Sequence, residues 1–183
     1  GHSLIILETK VRDMKGFANL LNVDGGSLVI DNSNLESLDG LGQLNKVGKD
    51  NLGVSFEFKG NLKLKNLDGL DNLRGTLDGS IQLDNNGLEQ VNGLRGITGL
   101  GADKNGTSVL ATNNGMLKDL CGLKDVEKVK GSVHANNNPS LAKLCLDKLA
   151  TVGKNKNGVA LEIVQDPLLK SIEMPMLKGT LPG

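Results

Sequence analysis

The sequence contains two cysteines, Cys121 and Cys145, and their spacing suggests covalent chemistry. Each cysteine directly follows a leucine, Leu120 or Leu144, that the repeat described below places in the interior of two consecutive coils. Equivalent positions of stacked coils lie about 4.8 Å apart, and a disulfide requires a Cα separation of about 4.4–6.8 Å. We therefore predict a Cys121–Cys145 disulfide and an oxidising compartment, with two buried free thiols as the alternative.

His134 is the one histidine outside the opening Gly-His-Ser, and it lies between two apolar strand residues. Since side chains alternate along a strand, we expect His134 to project outward into solvent. The sequence arranges no serine or cysteine nucleophile around it, and two cysteines without a histidine pair fall short of four zinc ligands. The sequence thus favours a protein that is not an enzyme and holds no cofactor or metal.

Polar residues at outward strand positions form a possible binding face. The carboxylates among them are interleaved with lysine and amide side chains, which is typical of a mixed solvated surface and not of a general acid-base pair. The face that we predict comprises Asp31, Lys59, Gln82, Asp84, Asn113, His134 and Asn136.

A single sequence for N-linked glycosylation is present, Asn105-Gly106-Thr107, because Pro139 blocks the second candidate at Asn138. It falls in a Gly-rich and Asn-rich segment that is expected to be a surface loop. Asn105 is therefore a candidate glycan acceptor if the protein is secreted by a eukaryote, and chance occurrence is the alternative.

Composition narrows the classes of partner. Among 183 residues, 21 Lys and Arg balance 21 Asp and Glu, so no long-range field attracts nucleic acid or an anionic membrane. Three Phe and no Tyr or Trp leave few aromatic rings for stacking on bases or sugars. No apolar run approaches the roughly 20 residues that cross a bilayer. A polar binding surface for a protein or glycan remains, with no membrane insertion.

The chain is organised by an internal repeat. A Gly-Leu pair, once Gly-Phe, opens each unit at Gly16, Gly40, Gly69, Gly93 and Gly122, so the steps are 24, 29, 24 and 29 residues. Each pair begins a Leu-x-x-Leu-x-x-Val stretch, whose spacing of three suits a short helical or 3₁₀ turn. An alternating strand follows, and the chain is expected to form a stack of six to seven coils.

Each strand is predicted to bury two residues. These inward pairs are Leu4 and Ile6, Leu28 and Ile30, Phe56 and Phe58, Ile81 and Leu83, Leu110 and Thr112, Val133 and Ala135, and Leu161 and Ile163.

Asparagines follow most strands, as in Asn85-Asn86 and Asn113-Asn114. Asparagine tolerates left-handed backbone and can satisfy the backbone groups of a corner, so stacked asparagines are expected to form a ladder. The extra residues of the long coils fall at 48–53, 99–106 and 153–158, which predicts loops along one flank.

These motifs resemble the receptor L domain family, the leucine-rich-repeat-like modules of insulin and epidermal growth factor receptors and of fungal cell-wall proteins. The resemblance rests on 26–32 (GSLVIDN), 38–48 (LDGLGQLNKVG) and 131–141 (GSVHANNNPSL), and the repeat extends it over nearly the whole chain. It implies a right-handed β-solenoid of leucine-rich-repeat type, with short helical turns opposite a parallel sheet, in a cell-surface or extracellular protein. The cysteine-rich modules and aromatic contact residues of the animal receptors are missing, so growth-factor binding is not implied.

Three functions follow as hypotheses. The first is an extracellular recognition or adhesion module that binds a protein or glycan, because repeat proteins present extended surfaces. The second is a structural spacer in a cell-wall or surface protein, and the third is a cytoplasmic leucine-rich-repeat scaffold. We expect one domain over residues 1–183, belonging to a longer protein, in which residues 1–3 are a remnant of cloning.

Overall fold

A computed structural model describes residues 2–178, so Gly1 and 179–183 of the predicted domain lie outside the described residues. The chain forms a β-solenoid of about seven turns around a seven-stranded parallel sheet, here called the main sheet. Its strands are Leu4–Leu7, Leu28–Asp31, Val54–Lys59, Ser80–Asp84, Thr107–Thr112, Ser132–Asn136 and Leu161–Val164, and each pairs with the next in chain order. The predicted stack of six to seven coils with a parallel sheet is confirmed.

Two rows of inward side chains run the length of the main sheet. One row joins Leu28, Phe56 and Ile81 through register, and the other joins Ile30, Phe58 and Leu83. The rings of Phe56 and Phe58 stack with centroids 5.9 Å apart. Both rows belong to one continuous apolar core.

The prediction for the fifth strand was wrong by one residue. Val109 and Ala111 are its buried residues, in register with Val133 and Ala135, while Leu110 and Thr112 face outward. A one-residue slip exchanges the two faces of a strand. The run Val109-Leu110-Ala111 does not show which residues face inward, because all three are apolar.

The Leu-x-x-Leu-x-x-Val stretches lie on the side away from the main sheet. Their apolar residues are buried, as Leu41, Leu44 and Val47 show. Among the residues that the structure describes, the predicted helical turns are confirmed in three units, as 3₁₀ helices at Lys15–Phe17, Asn92–Leu94 and Cys121–Leu123.

The structure contains further parallel strands that the repeat pattern does not predict. A four-stranded sheet, here called the second sheet, joins Gly75–Leu77, Ile97–Leu100, Lys128–Val129 and Thr151–Val152, in that order. Two-stranded sheets join Asn22–Val23 to Lys46–Val47 and Lys143–Cys145 to Ser171–Glu173. Each coil therefore forms hydrogen bonds between parallel strands on more than one side of the solenoid.

A ladder of buried asparagines closes the corner after the main sheet. The side-chain oxygen of Asn86 accepts hydrogen bonds from the backbone nitrogen and Nδ2 of Asn61, both at 3.1 Å. Asn86 Nδ2 donates in turn to the carbonyl of Phe58 at 2.7 Å. Asn114 and Asn138 repeat this arrangement in the following coils. The predicted asparagine ladder is confirmed.

The residue before each ladder position turns the corner in left-handed backbone. Asn32, Asn85, Asn113 and Asn137 have φ between 46° and 58°. Asparagine accepts this conformation more readily than most residues, which explains why pairs of asparagines recur. Within residues 2–178, no helix has the length and apolar character to span a membrane.

Candidate functional site

The outer face of the main sheet carries two rows of side chains. The first row contains Ile5, Val29, Glu57, Gln82, Leu110, His134 and Glu162. The second row contains Leu7, Asp31, Lys59, Asp84, Thr112, Asn136 and Val164. Both rows are apolar at the first strand and mostly polar from the third strand onward, so the polar surface is continuous over several coils.

The structure brings six of the seven predicted binding-face residues onto the outer face, and Asn113 lies at the corner after the strand Thr107–Thr112. Asp31, Lys59, Asp84 and Asn136 belong to the second row, while Gln82 and His134 belong to the first. Asn113, the seventh residue, is therefore not part of either row. These six strand residues therefore share the outer face.

Side-chain hydrogen bonds tie neighbouring coils of the second row together. Asp84 Oδ1 accepts from Thr112 Oγ1 and from Asn113 Nδ2, each at 2.8 Å. Asn136 Nδ2 donates to Glu162 Oε1 at 2.7 Å. Thr112 was missed by the sequence prediction because it was assigned to the core. The Asn113-Asn114 pair could have corrected this assignment. In the other pairs, the inward residues lie two and four positions before the first asparagine, and the same spacing from Asn113 excludes Thr112.

Three loops of the long coils stack against one another and form a wall beside the outer face, here called the loop wall (50–53, 103–106 and 155–158). The side chain of the first residue closes each loop. Asp103 Oδ1 accepts from the backbone nitrogens of Asn105 and Thr107 at 2.8 and 2.9 Å. Asp50 and Asn155 make the same bonds in their loops. The predicted flank of loops is confirmed except at Gly99 and Leu100, which belong to the strand Ile97–Leu100, and these bonds close the loops.

Backbone hydrogen bonds connect the three loops of the loop wall. Lys104 N donates to Leu52 O, and Lys156 N donates to Asn105 O, each at 2.8 Å. Asn105, the glycosylation candidate, is exposed on the middle loop. The extra residues of every second coil thus form a third stacked element beside the two sheets.

The loop wall covers part of the first row. Gln82 Nε2 donates to Asp103 Oδ2 at 3.2 Å, and Asn155 Nδ2 lies 3.3 Å from His134 Nε2. His134 is only 8% exposed as a result. The expectation of a solvated His134 was therefore wrong: its side chain points outward from the sheet, but a loop folds over it. The second row remains the more open part of the outer face.

His134 also connects a serine and a carboxylate. Ser132 Oγ lies 2.6 Å from His134 Nε2, and Glu162 Oε2 lies 3.5 Å from His134 Nδ1. This is the order of contacts found in a serine nucleophile, its base and the group that orients the base. Ser132 was missed, although its position two residues before His134 places both on one strand face. However, Ser132 is fully buried, so its hydroxyl has no access to a substrate.

Burial and like charge perturb one carboxylate of the outer face. Burial raises the pKa of Glu57, and the negative charges of Asp31 and Asp50 raise it further, against the opposing effect of Lys59. Asp31 Oδ1 and Asn136 Oδ1 are buried without a hydrogen-bond partner among the described residues. The face combines charged, amide and hydroxyl groups that can exchange hydrogen bonds with a polar ligand.

Cys121 and Cys145 are joined by a disulfide, with their Cα atoms 4.6 Å apart, so the predicted bond is confirmed. Cys145 also lies near Asp147 and Glu173, and donor atoms of the three residues are within 4.8 Å of one another. Because the sulfur of Cys145 is bonded to Cys121, it is not free to bind a metal ion. The two remaining carboxylates do not make a tetrahedral zinc site.

Comparison with known proteins identifies no relative: no family model matches the chain, and neither does any curated protein or solved structure.

Proposed function

We propose that this protein is a non-enzymatic recognition or adhesion module that binds a protein or glycan through the outer face of its main sheet. In this proposal the solenoid is of the right-handed leucine-rich-repeat type and is related to receptor L domains. The observation that carries the proposal is the second row of the outer face, a polar surface that crosses consecutive coils without interruption.

The geometry of this surface supports binding of an extended polar ligand. Asp31, Lys59 and Asp84 follow one another in register on neighbouring strands, so opposite charges alternate about every 4.8 Å. The loop wall covers part of the first row and leaves the second row more open. Such a row offers complementary positions to a ligand that runs across the strands, which is the usual way in which repeat proteins bind.

The Cys121–Cys145 disulfide supports an extracellular or cell-surface location. Structural disulfides persist in oxidising compartments and are rare where glutathione keeps thiols reduced. The disulfide therefore weighs against the cytoplasmic scaffold.

A structural spacer without a specific ligand is the second candidate. The observation that favours it is the asparagine ladder, which joins successive coils at one corner by buried hydrogen bonds. A spacer needs rigidity, and it does not depend on a particular pattern of charge on its outer face.

The two candidates are separated by reversing the charges of the second row. A variant with Asp31→Lys, Lys59→Glu and Asp84→Lys is compared with wild type on a glycan array and on a display library of surface proteins. The matched control, Asp39→Lys, Lys143→Glu and Asp68→Lys, has the same net charge change at exposed positions away from the outer face.

A ligand captured by wild type should lose about tenfold or more in affinity with the outer-face variant, or roughly 1.4 kcal/mol, and should be unaffected by the control. Equal binding by wild type and the outer-face variant contradicts the proposed surface. Failure of wild type to capture any ligand in either format favours the spacer.

A further inference from the structure

The exposed side of the second sheet contains a groove that is separate from the outer face of the main sheet. Lys128 is in register with Thr151 on one side and with Gly99 on the other, and Gly99 is in register with Thr76. A cavity of about 610 Å³ follows this row. Its lining includes Thr76, Thr98, Lys128, Lys130 and Thr151, and this surface is here called the lysine groove.

Two glycines of the lysine groove allow neighbouring coils to approach closely. A Cβ atom at Gly99 would lie 2.8 Å from Thr76 Oγ1, and one at Gly153 would lie 1.9 Å from the carbonyl oxygen of Lys130. Neither position adds a side chain to the lysine groove. Threonine hydroxyls and lysine side chains then stand around it as hydrogen-bond donors.

The lysine groove and the loop wall together carry four lysines and three carboxylates. Lys128 and Lys130 line the groove, with Glu127 as its acidic residue. Lys104 and Lys156 lie on the loop wall, where Asp50 and Asp103 accept hydrogen bonds from backbone nitrogens of their own loops, and all four lysines are exposed. Within residues 2–178 none of the four forms an ion pair, although Lys156 Nζ donates to the amide oxygen of Asn105 at 3.4 Å.

Lysines elsewhere on the protein are arranged differently. Lys63, Lys65 and Lys118 each contact a glutamate, at 3.9, 3.9 and 2.7 Å respectively, and Lys15 contacts Asp13 at 3.3 Å. Their charge is therefore compensated locally. The four lysines of the lysine groove and the loop wall have no carboxylate partner of this kind among the described residues.

We infer that the lysine groove and the lysines of the adjoining loop wall bind an anionic polysaccharide, with sulfate or carboxylate groups held by Lys104, Lys128, Lys130 and Lys156. The lysines extend from the groove to the loop wall, which suits a chain with repeated charges better than a single anion. The threonine hydroxyls of the groove suit sugar hydroxyls. Nucleic acid fits less well, because Phe56 and Phe58 are buried, the half-buried Phe17 does not line the groove, and the chain has no Tyr or Trp to stack on bases.

The test measures binding of heparin, a sulfated polysaccharide, to protein made in bacteria, so that Asn105 carries no glycan. Neutral dextran and a double-stranded DNA oligonucleotide serve as comparison ligands. One variant replaces Lys104, Lys128, Lys130 and Lys156 by alanine. The matched control replaces Lys15, Lys63, Lys65 and Lys118 by alanine, and therefore changes the net charge by the same amount.

We expect heparin to bind wild type and the control variant, and dextran not to bind. Each substituted groove or loop-wall lysine should lower heparin affinity about twofold to fivefold, as expected for exposed ion pairs, and the effect should weaken with added salt. Unchanged melting temperature of the variant, checked by circular dichroism, shows that the loss does not come from unfolding.

Three results overturn the inference: no binding of heparin at low salt, equal loss of binding in both variants, or DNA binding as tight as heparin binding with the same dependence on the four lysines. The last result assigns the surface to nucleic acid. Because these lysines are not on the outer face of the main sheet, each result leaves the proposed function of that face unaffected.

Discussion

The side-chain oxygen of Asn114 accepts two hydrogen bonds from Asn86, one from its backbone nitrogen at 3.0 Å and one from Nδ2 at 3.4 Å. Asn114 Nδ2 donates to the carbonyl oxygens of Leu83 and Thr112, at 3.0 and 2.9 Å. One buried amide thus satisfies backbone groups of two neighbouring coils. This is how the solenoid turns a corner without leaving backbone donors and acceptors unpaired.

Asn114→Ala is expected to lower the free energy of unfolding by about 2–4 kcal/mol, because several buried polar groups lose their partner at once. Urea denaturation followed by circular dichroism measures this. The control is Asn113→Gly at the neighbouring corner position, where glycine accepts the positive φ of 58° without strain. A change of the same size in both variants would contradict the ladder as the cause.

The Cys121–Cys145 disulfide is expected to stabilise the fold by about 3.5 kcal/mol, since it closes a loop of about 25 residues in the unfolded chain. The double variant Cys121→Ser, Cys145→Ser should lose this amount in urea denaturation. Reductant should destabilise wild type and leave the double variant unchanged. Free thiols in both positions after aerobic preparation, detected by alkylation and mass spectrometry, would contradict the bond itself.

Asp166 occupies the next position of the asparagine ladder and gives a prediction on pH. Its Oδ1 accepts from the backbone nitrogen of Asn138 at 2.6 Å, while Oδ2 is buried without a partner among the described residues. Burial raises the pKa of Asp166, and the hydrogen bonds from Asn138 oppose this rise. The charged carboxylate is therefore less favourable here than in the unfolded chain.

Because the folded pKa of Asp166 lies above the unfolded pKa, its contribution to stability is fully present below the unfolded value near 3.8 and is lost as pH rises through the folded value. Asp166→Asn should therefore be more stable than wild type at pH 7, and equal to it at about pH 3. The difference in unfolding free energy between the two proteins, measured from pH 3 to pH 7, isolates this group from other carboxylates. A difference that does not grow with pH would contradict the prediction.

The features that could be predicted from sequence are those that repeat. The spacing of Gly40, Gly69 and Gly93 fixed the coils, and the leucines between them fixed the core. Cys121 and Cys145 could be paired because coil positions are equivalent in stacked repeats. The asparagine pairs predicted the corner ladder for the same reason.

The features that could not be predicted depend on packing between segments. Lys128–Val129 and Thr151–Val152 are too short to show a strand period, and they form the second sheet only because the coils stack. The loop that contains Asn155 covers His134, and its position cannot be inferred from the alternation of strand residues.

Asn105 is proposed as a glycan acceptor, and the chain provides a control for it. Expressed in a secreting eukaryotic cell, wild type should show a mass shift that a peptide N-glycosidase removes, and Asn105→Gln should not. Asn138→Gln is expected to keep the shift, since Pro139 follows Asn138, although it should be less stable because Asn138 belongs to the ladder. Wild type without any shift would reject the acceptor.

The contacts of His134 with Ser132 and Glu162 allow a direct test of the non-enzymatic proposal. A fluorophosphonate probe reacts with serines that a histidine activates, and we expect it not to label Ser132, because the serine is fully buried under the loop wall. His134→Ala should lower the free energy of unfolding by about 1–3 kcal/mol, since Ser132 Oγ and Glu162 lose a partner. Urea denaturation measures this loss, and mass spectrometry locates any label. Labelling of Ser132 in wild type and not in His134→Ala would show that the loop wall opens and that the serine is reactive, which contradicts a purely structural role for these three residues.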